Sequence, residues 1–441
     1  MHLRKRACIA PSRLWYAGST MGKMLTNLRQ NELLLTLCGM VALVMVGLSM
    51  VSPILPLYGR SFGVNGFFIG LIVSAYPIAR LFTNTPAGRL ADRYGRKPLL
   101  FSGMTVTALS SVVCGLATVY PMLLVGRFLE GVGSAMFISA AQATVADIST
   151  PENRGRMMST FQGSFLLGST AGPTVGGFIA AAVGARGVFF VYTGMALASL
   201  AWAIIRRGTI PTVRNTEARS AKASPGAPKA SPFAAWRFLS DISFLAICLI
   251  SFAQFFTRTG TRTTALPLLG ADRYNLSEEK IGLILTVATL GNLVCVPLAG
   301  WMVDTLGRKA AIVPSTVLSG LSVLLFMWAP NVFWFTVVAA LFGLSTGVAG
   351  PAPTAYVADR AGGKNIGARL GVYRSFGDLG FIVGPLCVGV LSDGFGYNAA
   401  LLVNAVLIIV SGILFAVVAK ETGGRRVRAA LAAAETVHGD D

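Results

Sequence analysis

Twelve apolar stretches, each long enough to cross a lipid bilayer, leave this chain few folds to choose from. They run over residues 33–57, 66–87, 98–119, 121–146, 156–183 and 186–206. Six more cover 241–266, 279–303, 309–329, 332–357, 367–392 and 397–419. A helix needs about 20 residues to span the hydrocarbon core. No water reaches the backbone there, so only helices and closed barrels satisfy every N–H and C=O. The stretches lack the period-2 alternation of barrel strands, which leaves helices. Only 12% of the residues are charged, against about 25% in soluble domains. The missing charge is surface that faces lipid. The expected fold is all-α, with twelve transmembrane helices.

Between the sixth and seventh stretches, residues 207–240 read as a linker. Ser224-Pro225-Gly226-Ala227-Pro228 and many small polar residues cannot build a core. The expected organisation is a tail over 1–32, a six-helix bundle over 33–206, the linker, a second bundle over 241–419, and a tail over 420–441. A net charge of +19 invites a nucleic-acid reading, and the position of the charge removes it. With both termini on one side, that side collects 28 of the 37 Lys and Arg; the other holds Arg60, Arg186, Arg273 and Lys280. Lys and Arg gather on the cytoplasmic face. Both termini and the linker are therefore expected in the cytoplasm, in a multi-pass protein of the cytoplasmic membrane.

Other classes drop out on residue inventory. The only histidines are His2 and His438, in the tails, and the six cysteines have no metal-ligand spacing. No phosphate loop or HExxH pattern occurs. No enzyme activity, cofactor or metal is expected.

The two halves repeat in one register. Gly88-Arg89-Leu90-Ala91-Asp92-Arg93-Tyr94-Gly95-Arg96-Lys97 returns as Gly300-Trp301-Met302-Val303-Asp304-Thr305-Leu306-Gly307-Arg308-Lys309, so Asp304 follows Asp92 by 212 residues. Val357-Ala358-Asp359 follows Val145-Ala146-Asp147, and Gly384-Pro385 follows Gly172-Pro173, by the same 212. Residues 212 apart are called register mates below. Parallel repeats of this kind form a transporter architecture, with the site between the repeats near the membrane midplane.

Gly-x-x-x-Asp-Arg-x-Gly-Arg-Lys, set between the second and third stretches, resembles the signature loop of the major facilitator superfamily. The resemblance implies a secondary transporter of two six-helix bundles. It implies a loop that packs on the start of the eleventh helix, with Gly88 as the close-contact glycine and Asp92 as a capping carboxylate. Gly95 serves the tight turn, and Arg93 and Arg96 form a charge relay with Asp147. The second copy keeps Gly300, Asp304, Gly307 and Arg308 but has Thr305 in place of the arginine, so a weaker latch is expected there. Arg127-Phe128-Leu129-Glu130-Gly131-Val132-Gly133 resembles the superfamily's proton-coupling motif. Arg127 and Glu130, three apart, share a helix face, and their register mates are Ala339 and Phe342. Gly168-Ser169-Thr170-Ala171-Gly172-Pro173-Thr174-Val175-Gly176-Gly177 resembles the antiporter motif of exporters. Pro53-Ile54-Leu55-Pro56-Leu57-Tyr58 is similar to the proline-rich end in twelve-helix drug:proton antiporters. Together these imply proton-coupled efflux of a small molecule by a monomer. An uptake symporter or facilitator for a sugar or organic anion is the alternative.

Intramembrane ionisable residues are costly and mark function by default. Arg374 and Asp378 lie four apart on one face, and Asp378 falls roughly 15 Å inside the cytoplasmic end. It is a second candidate proton carrier. Arg80, Gln142, Gln162, Gln254, Arg258 and Tyr373 are candidates for a substrate cavity. Arginines outnumber carboxylates in the spans, and the first span has no ionisable residue. That balance points to a neutral, zwitterionic or anionic substrate.

Overall fold

The computed structural model describes residues 13–150, 153–208, 237–349, 352–361 and 366–422. The expected linker, apart from its ends, and most of the C-terminal tail lie outside the described residues. So does the side chain of Asp304.

Regular structure among the described residues is helical. The first half holds α1 (Arg13–Val51), α2 (Leu55–Arg60), α3 (Gly66–Tyr94), α4 (Arg96–Gly115), α5 (Tyr120–Ile148) and α6 (Arg154–Ile205). In the second half α7 (Ile242–Phe256) continues through a π-helical segment, Thr257–Ala265, into α8 (Leu266–Tyr274). Then come α9 (Glu278–Thr305), α10 (Arg308–Leu325), α11 (Val332–Ala349), α12 (Ala352–Arg360) and α13 (Ile366–Val418).

Among the described residues ten helices are long and apolar enough to cross a membrane, fewer than the apolar stretches. The difference lies in α6 and α13, which run over 52 and 53 residues. Each is broken at one glycine, with no intervening loop: Gly184 at φ 74° and Gly396 at φ 78°. These are register mates in a conformation that an L side chain resists. Each long helix thus divides into two arms. At the N-terminus, α1 begins at Arg13, well inside the segment read as a tail. No proline interrupts residues 13–32, so nothing stops the helix from projecting past its apolar part, Asn31–Val51.

Packing repeats with the register. In the first half α1 lies on α6, and α4 on both α5 and α6; in the second, α7 lies on α13, and α10 on both α11 and α13. Phe137, Phe161, Phe189 and Tyr192 are fully buried in the first half's core. In the second half one cluster forms around Phe326, Phe335 and Phe342, and another around Phe244, Tyr356 and Phe415.

The halves meet along two seams, α3 on α13 and α6 on α9. The backbones touch there. A methyl group on Gly70 would strike the Pro385 carbonyl, and one on Gly282 would strike that of Pro173. Both pairs are register mates of each other. Small residues that let helix backbones approach are the common device of membrane packing.

Candidate functional site

At the end of the molecule that carries the charged loops, Gly95 reverses the chain between α3 and α4 at φ 97°. Its mate Gly307 does the same between α9 and α10 at φ 119°. Arg96, the first residue of α4, donates through Nη1 to Asp92 Oδ1 at 2.7 Å and through Nε to Asp147 Oδ2 at 3.1 Å. Its mate Arg308 donates through Nε to Asp359 Oδ2 at 3.0 Å. Arg93 takes no part in this relay; its guanidinium lies 5.3 Å over the Tyr94 ring. Lys97 Nζ donates to the Arg207 carbonyl and Lys309 Nζ to that of Ala419, again in register. One further feature belongs to α10; the mate of Glu421, Thr209, lies outside the described residues. The Glu421 carboxylate accepts from the backbone N–H groups of Arg308, Lys309 and Ala310 at 2.7, 3.2 and 3.2 Å, capping α10.

These loops are not pressed against the opposite half. Gly88 and Gly300 have open space where a side chain would go, and Asp92 is 69% exposed. Residues 84–86 of α3, 296–298 of α9 and 374–375 of α13 are exposed in runs, as helices freed from a neighbour are.

The opposite end is closed. Arg60 and Asp272, themselves register mates, form an ion pair between the halves. The Tyr397 hydroxyl donates to the other Asp272 oxygen at 2.7 Å. The hydrogen bond to Asp272 holds the Arg60 guanidinium above its ordinary pKa. Asp393 of α13 accepts from the backbone N–H of Gly66 at 2.9 Å and of Phe67 at 3.2 Å, so one half caps a helix of the other. Ser74 Oγ donates to the Ile382 carbonyl at 2.6 Å, and Thr174 bonds Thr286.

The glycine-rich stretch of α6 serves two neighbours. Gly168, Gly172 and Gly176, four apart, lie against α1, where a methyl group would meet Ala42, Ser49 and Met50 in turn. Gly177 and Pro173 face α9 instead. The second half repeats the division: Gly380 and Gly384 lie against α7, and Gly389 against α3.

Arg127 and Glu130 form an ion pair at 2.7 Å inside the first half, 5% and 0% exposed. Arg127 also lies 5.3 Å over the Tyr76 ring, and Arg80 lies 5.7 Å over the same ring. Tyr76 and Ser134 hydroxyls share a hydrogen bond of 2.6 Å. Glu130 Oε1 and Arg127 Nε have no hydrogen-bond partner. The mates Ala339 and Phe342 are simply buried and apolar.

Between the open and closed ends lies a cleft lined by the seam helices and α7. Asp378 and Arg374 are exposed on α13. Asp378 feels Arg80 and then Arg374 as its charged neighbours, with no ion pair within 4 Å among the described residues. Arg258 is exposed and yet deep in the molecule, the signature of a side chain directed into an internal cleft. Arg262 is half-buried and donates to Thr289 Oγ1 of α9. Gln254 is half-buried with an unpartnered Nε2. Gln142 and Gln162 are exposed on α5 and α6, toward the charged-loop end. Tyr373 does not join this group. It is 5% exposed and packs in the second half's core, because its neighbour Arg374 takes the cleft-facing direction and adjacent helical residues do not share a face.

Several of these contacts have readable signals that residue matching passes over. Gly70 and Gly282 sit in the repeat register. Arg60 and Asp272 do too, as opposite charges. Thr257–Ala265 is a polar run inside an apolar helix.

Comparison with known proteins agrees with this geometry. The model of the Major Facilitator Superfamily matches residues 37–277 and 247–435. Multidrug resistance protein 2 of Bacillus subtilis is 26% identical over 366 residues, covering 82% of this chain and 90% of that protein. Multidrug resistance protein MdtG of Enterobacter lignolyticus is 26% identical over 388 residues, covering 85% and 89%. In fold, the chain superposes at a TM-score of 0.73 on a bacterial homolog of the human lysosomal transporter Spinster in its inward-facing, occupied conformation. That match has 14% identity and covers 88% of this chain and 96% of that one. Duplicated halves, paired signature loops and the matched family model lead to one conclusion: the chain belongs to the major facilitator superfamily of membrane transporters and is most like its drug:proton antiporter branch.

Proposed function

We propose that this protein exports a small molecule across the cytoplasmic membrane in exchange for protons, by alternating access. The observation that carries the reading is the asymmetry of the cleft. It is clasped at one end by the Arg60–Asp272 pair and the seam contacts around it and parted at the other, and a carboxylate stands among arginines between the two. In this reading twelve crossings put both termini and the charged loops in the cytoplasm. The conformation described is then the inward-open one, and the protein works as a monomer.

Export requires a second state with the seams exchanged: clasp open, charged loops together. The paired loops around Arg96 and Arg308 are the natural closing elements, with Asp92 exposed and available to the opposite half. Proton binding shifts an equilibrium only through a group whose surroundings differ between the two states. Asp378, lining the cleft, and Glu130, behind it, are the candidates. The multidrug-resistance relatives favour export over uptake.

The test uses everted membrane vesicles from cells expressing the full chain. An acid-inside gradient is expected to drive accumulation of substrates found by screening labelled solutes, and an uncoupler to abolish it. Accumulation that ignores the gradient overturns proton coupling. Full proton-driven flux in both Glu130→Gln and Asp378→Asn overturns the carrier assignment.

A further inference from the structure

The π-helical segment Thr257–Ala265 holds a pair of cations with no anion beside them. In it the Thr263 hydroxyl donates to the Arg258 carbonyl at 3.2 Å, and that of Thr264 to the Thr259 carbonyl at 2.9 Å, each five residues back. Arg258 and Arg262, four apart, leave the segment on one side, close enough for the Arg258 charge to act on Arg262. Asn404 of α13 fixes the segment: its Oδ1 accepts from Thr257 Oγ1 at 2.7 Å and its Nδ2 donates to Thr261. On the other side Ser52, just after α1, reaches Thr263 at 3.5 Å, so the segment borders the first half across the cleft. π-Helical turns inside α-helices occur often at functional sites, and this nine-residue segment is anchored on both sides.

Neither guanidinium has a carboxylate within 4 Å among the described residues. Arg262 has only the Thr289 hydroxyl, a neutral partner. Asp378, the carboxylate described above in the cleft, already faces Arg80 and Arg374. Unpartnered donors accompany the cations: Gln254 Nε2, one turn before Arg258, and Arg80 Nε. Two like charges side by side within a membrane span are costly and favour an anion that joins them. Apolar surface is at hand. Phe255, one turn from Arg258, packs on Phe381, one turn from Asp378, with ring centroids 6.0 Å apart.

We infer that the transported molecule is an organic anion, an apolar and preferably aromatic body bearing a carboxylate or similar oxyanion. Its acid group is held by Arg258 and Arg262 and its body lies along Phe255 and Phe381. The inference rests on the transporter reading but not on the direction or coupling of transport, because it is tested by binding alone.

The probes are three molecules with one ring system and three charges: 2-naphthoate, 2-naphthamide and (2-naphthylmethyl)trimethylammonium. Binding to the purified full chain in lipid nanodiscs is measured at equilibrium. Charge-assisted hydrogen bonds are worth enough that naphthoate is expected to bind roughly tenfold or more tighter than the amide, with the cation weakest. Arg258→Gln and Arg262→Gln should each remove most of that preference while leaving amide binding in place, and Arg258→Lys should restore part of it. Three equal affinities, tighter binding of the cation, or no binding of any probe at about millimolar concentration overturns the proposal. So does loss of amide and naphthoate binding together in an Arg variant that still elutes as a folded monodisperse protein. Failure of proton-driven export in vesicles, with the naphthoate preference intact, would instead count only against the coupling.

Discussion

At the scale of single residues, the Arg127–Glu130 pair shows how burial separates structural from functional worth. Both side chains are shut away from water, so each is tolerable only because the other is there. Arg127→Gln strands a carboxylate in the core, which costs about 3–5 kcal/mol when a buried pair is broken from one side. Replacing both, Arg127→Gln with Glu130→Gln, removes the stranded charge. The expected outcome is a large drop in thermal stability for Arg127→Gln and recovery of most of it in the double variant, read by melting of the purified protein. Transport should not recover with stability if the pair handles the proton. A double variant that regains both assigns the pair to packing. The three-residue spacing was enough to foresee the pair in the sequence. Its enclosure by Tyr76 and Tyr192 was not, since neither lies near it in the chain.

At the scale of elements, the seams are built where backbone meets backbone. Gly282 touches the Pro173 carbonyl of α6, and the atoms nearest it there are backbone, with no flexible side chain to yield to a larger residue. Gly282→Val should wedge α6 and α9 apart at the closed end while leaving each half's own core untouched. Transport is expected to fall by at least about tenfold, the scale of a 1.4 kcal/mol bias between states, with an unchanged gel-filtration profile. Wild-type flux in that variant would mean the seam does not close tightly during transport. The glycines of α6 were legible as a packing stripe, but their division between α1 and α9 was not. Spacing tells which residues share a face and says nothing of which neighbour covers it. Thr257–Ala265 is a polar run in an apolar helix, yet only the structure reveals that it is a π-helix.

At the scale of the whole molecule, duplication explains both what could be read and what was missed. Identical residues 212 apart disclosed the repeat, and with it the paired loops and kinked helices. A contact between mates across a pseudo-two-fold axis obeys a different rule: a residue facing its own copy must be complementary to it, not identical. Arg60 facing Asp272 is such a contact, invisible to a search for matching letters. Asp393 has Ala181 as its mate and is legible only in three dimensions. The Arg60–Asp272 pair is part-exposed, at 50% and 32%, so it is worth at most about 1 kcal/mol. That is small for folding but large for an equilibrium between two states of nearly equal energy. Arg60→Asp sets two carboxylates face to face and should push the population toward the clasp-open state by roughly fivefold. Adding Asp272→Arg should return most of it, short of the lost Tyr397 hydrogen bond. Spin labels on Ser61 and Lys280, exposed residues on either side of the clasp, would report the change as a longer distance in the single variant and a return toward the original in the swap. If the two variants give the same distance distribution as the parent, the pair is surface decoration. The clasp must then be held by the backbone contacts of Gly70 and Gly282, the Asp393 cap and the hydrogen bonds of Ser74 and Thr174.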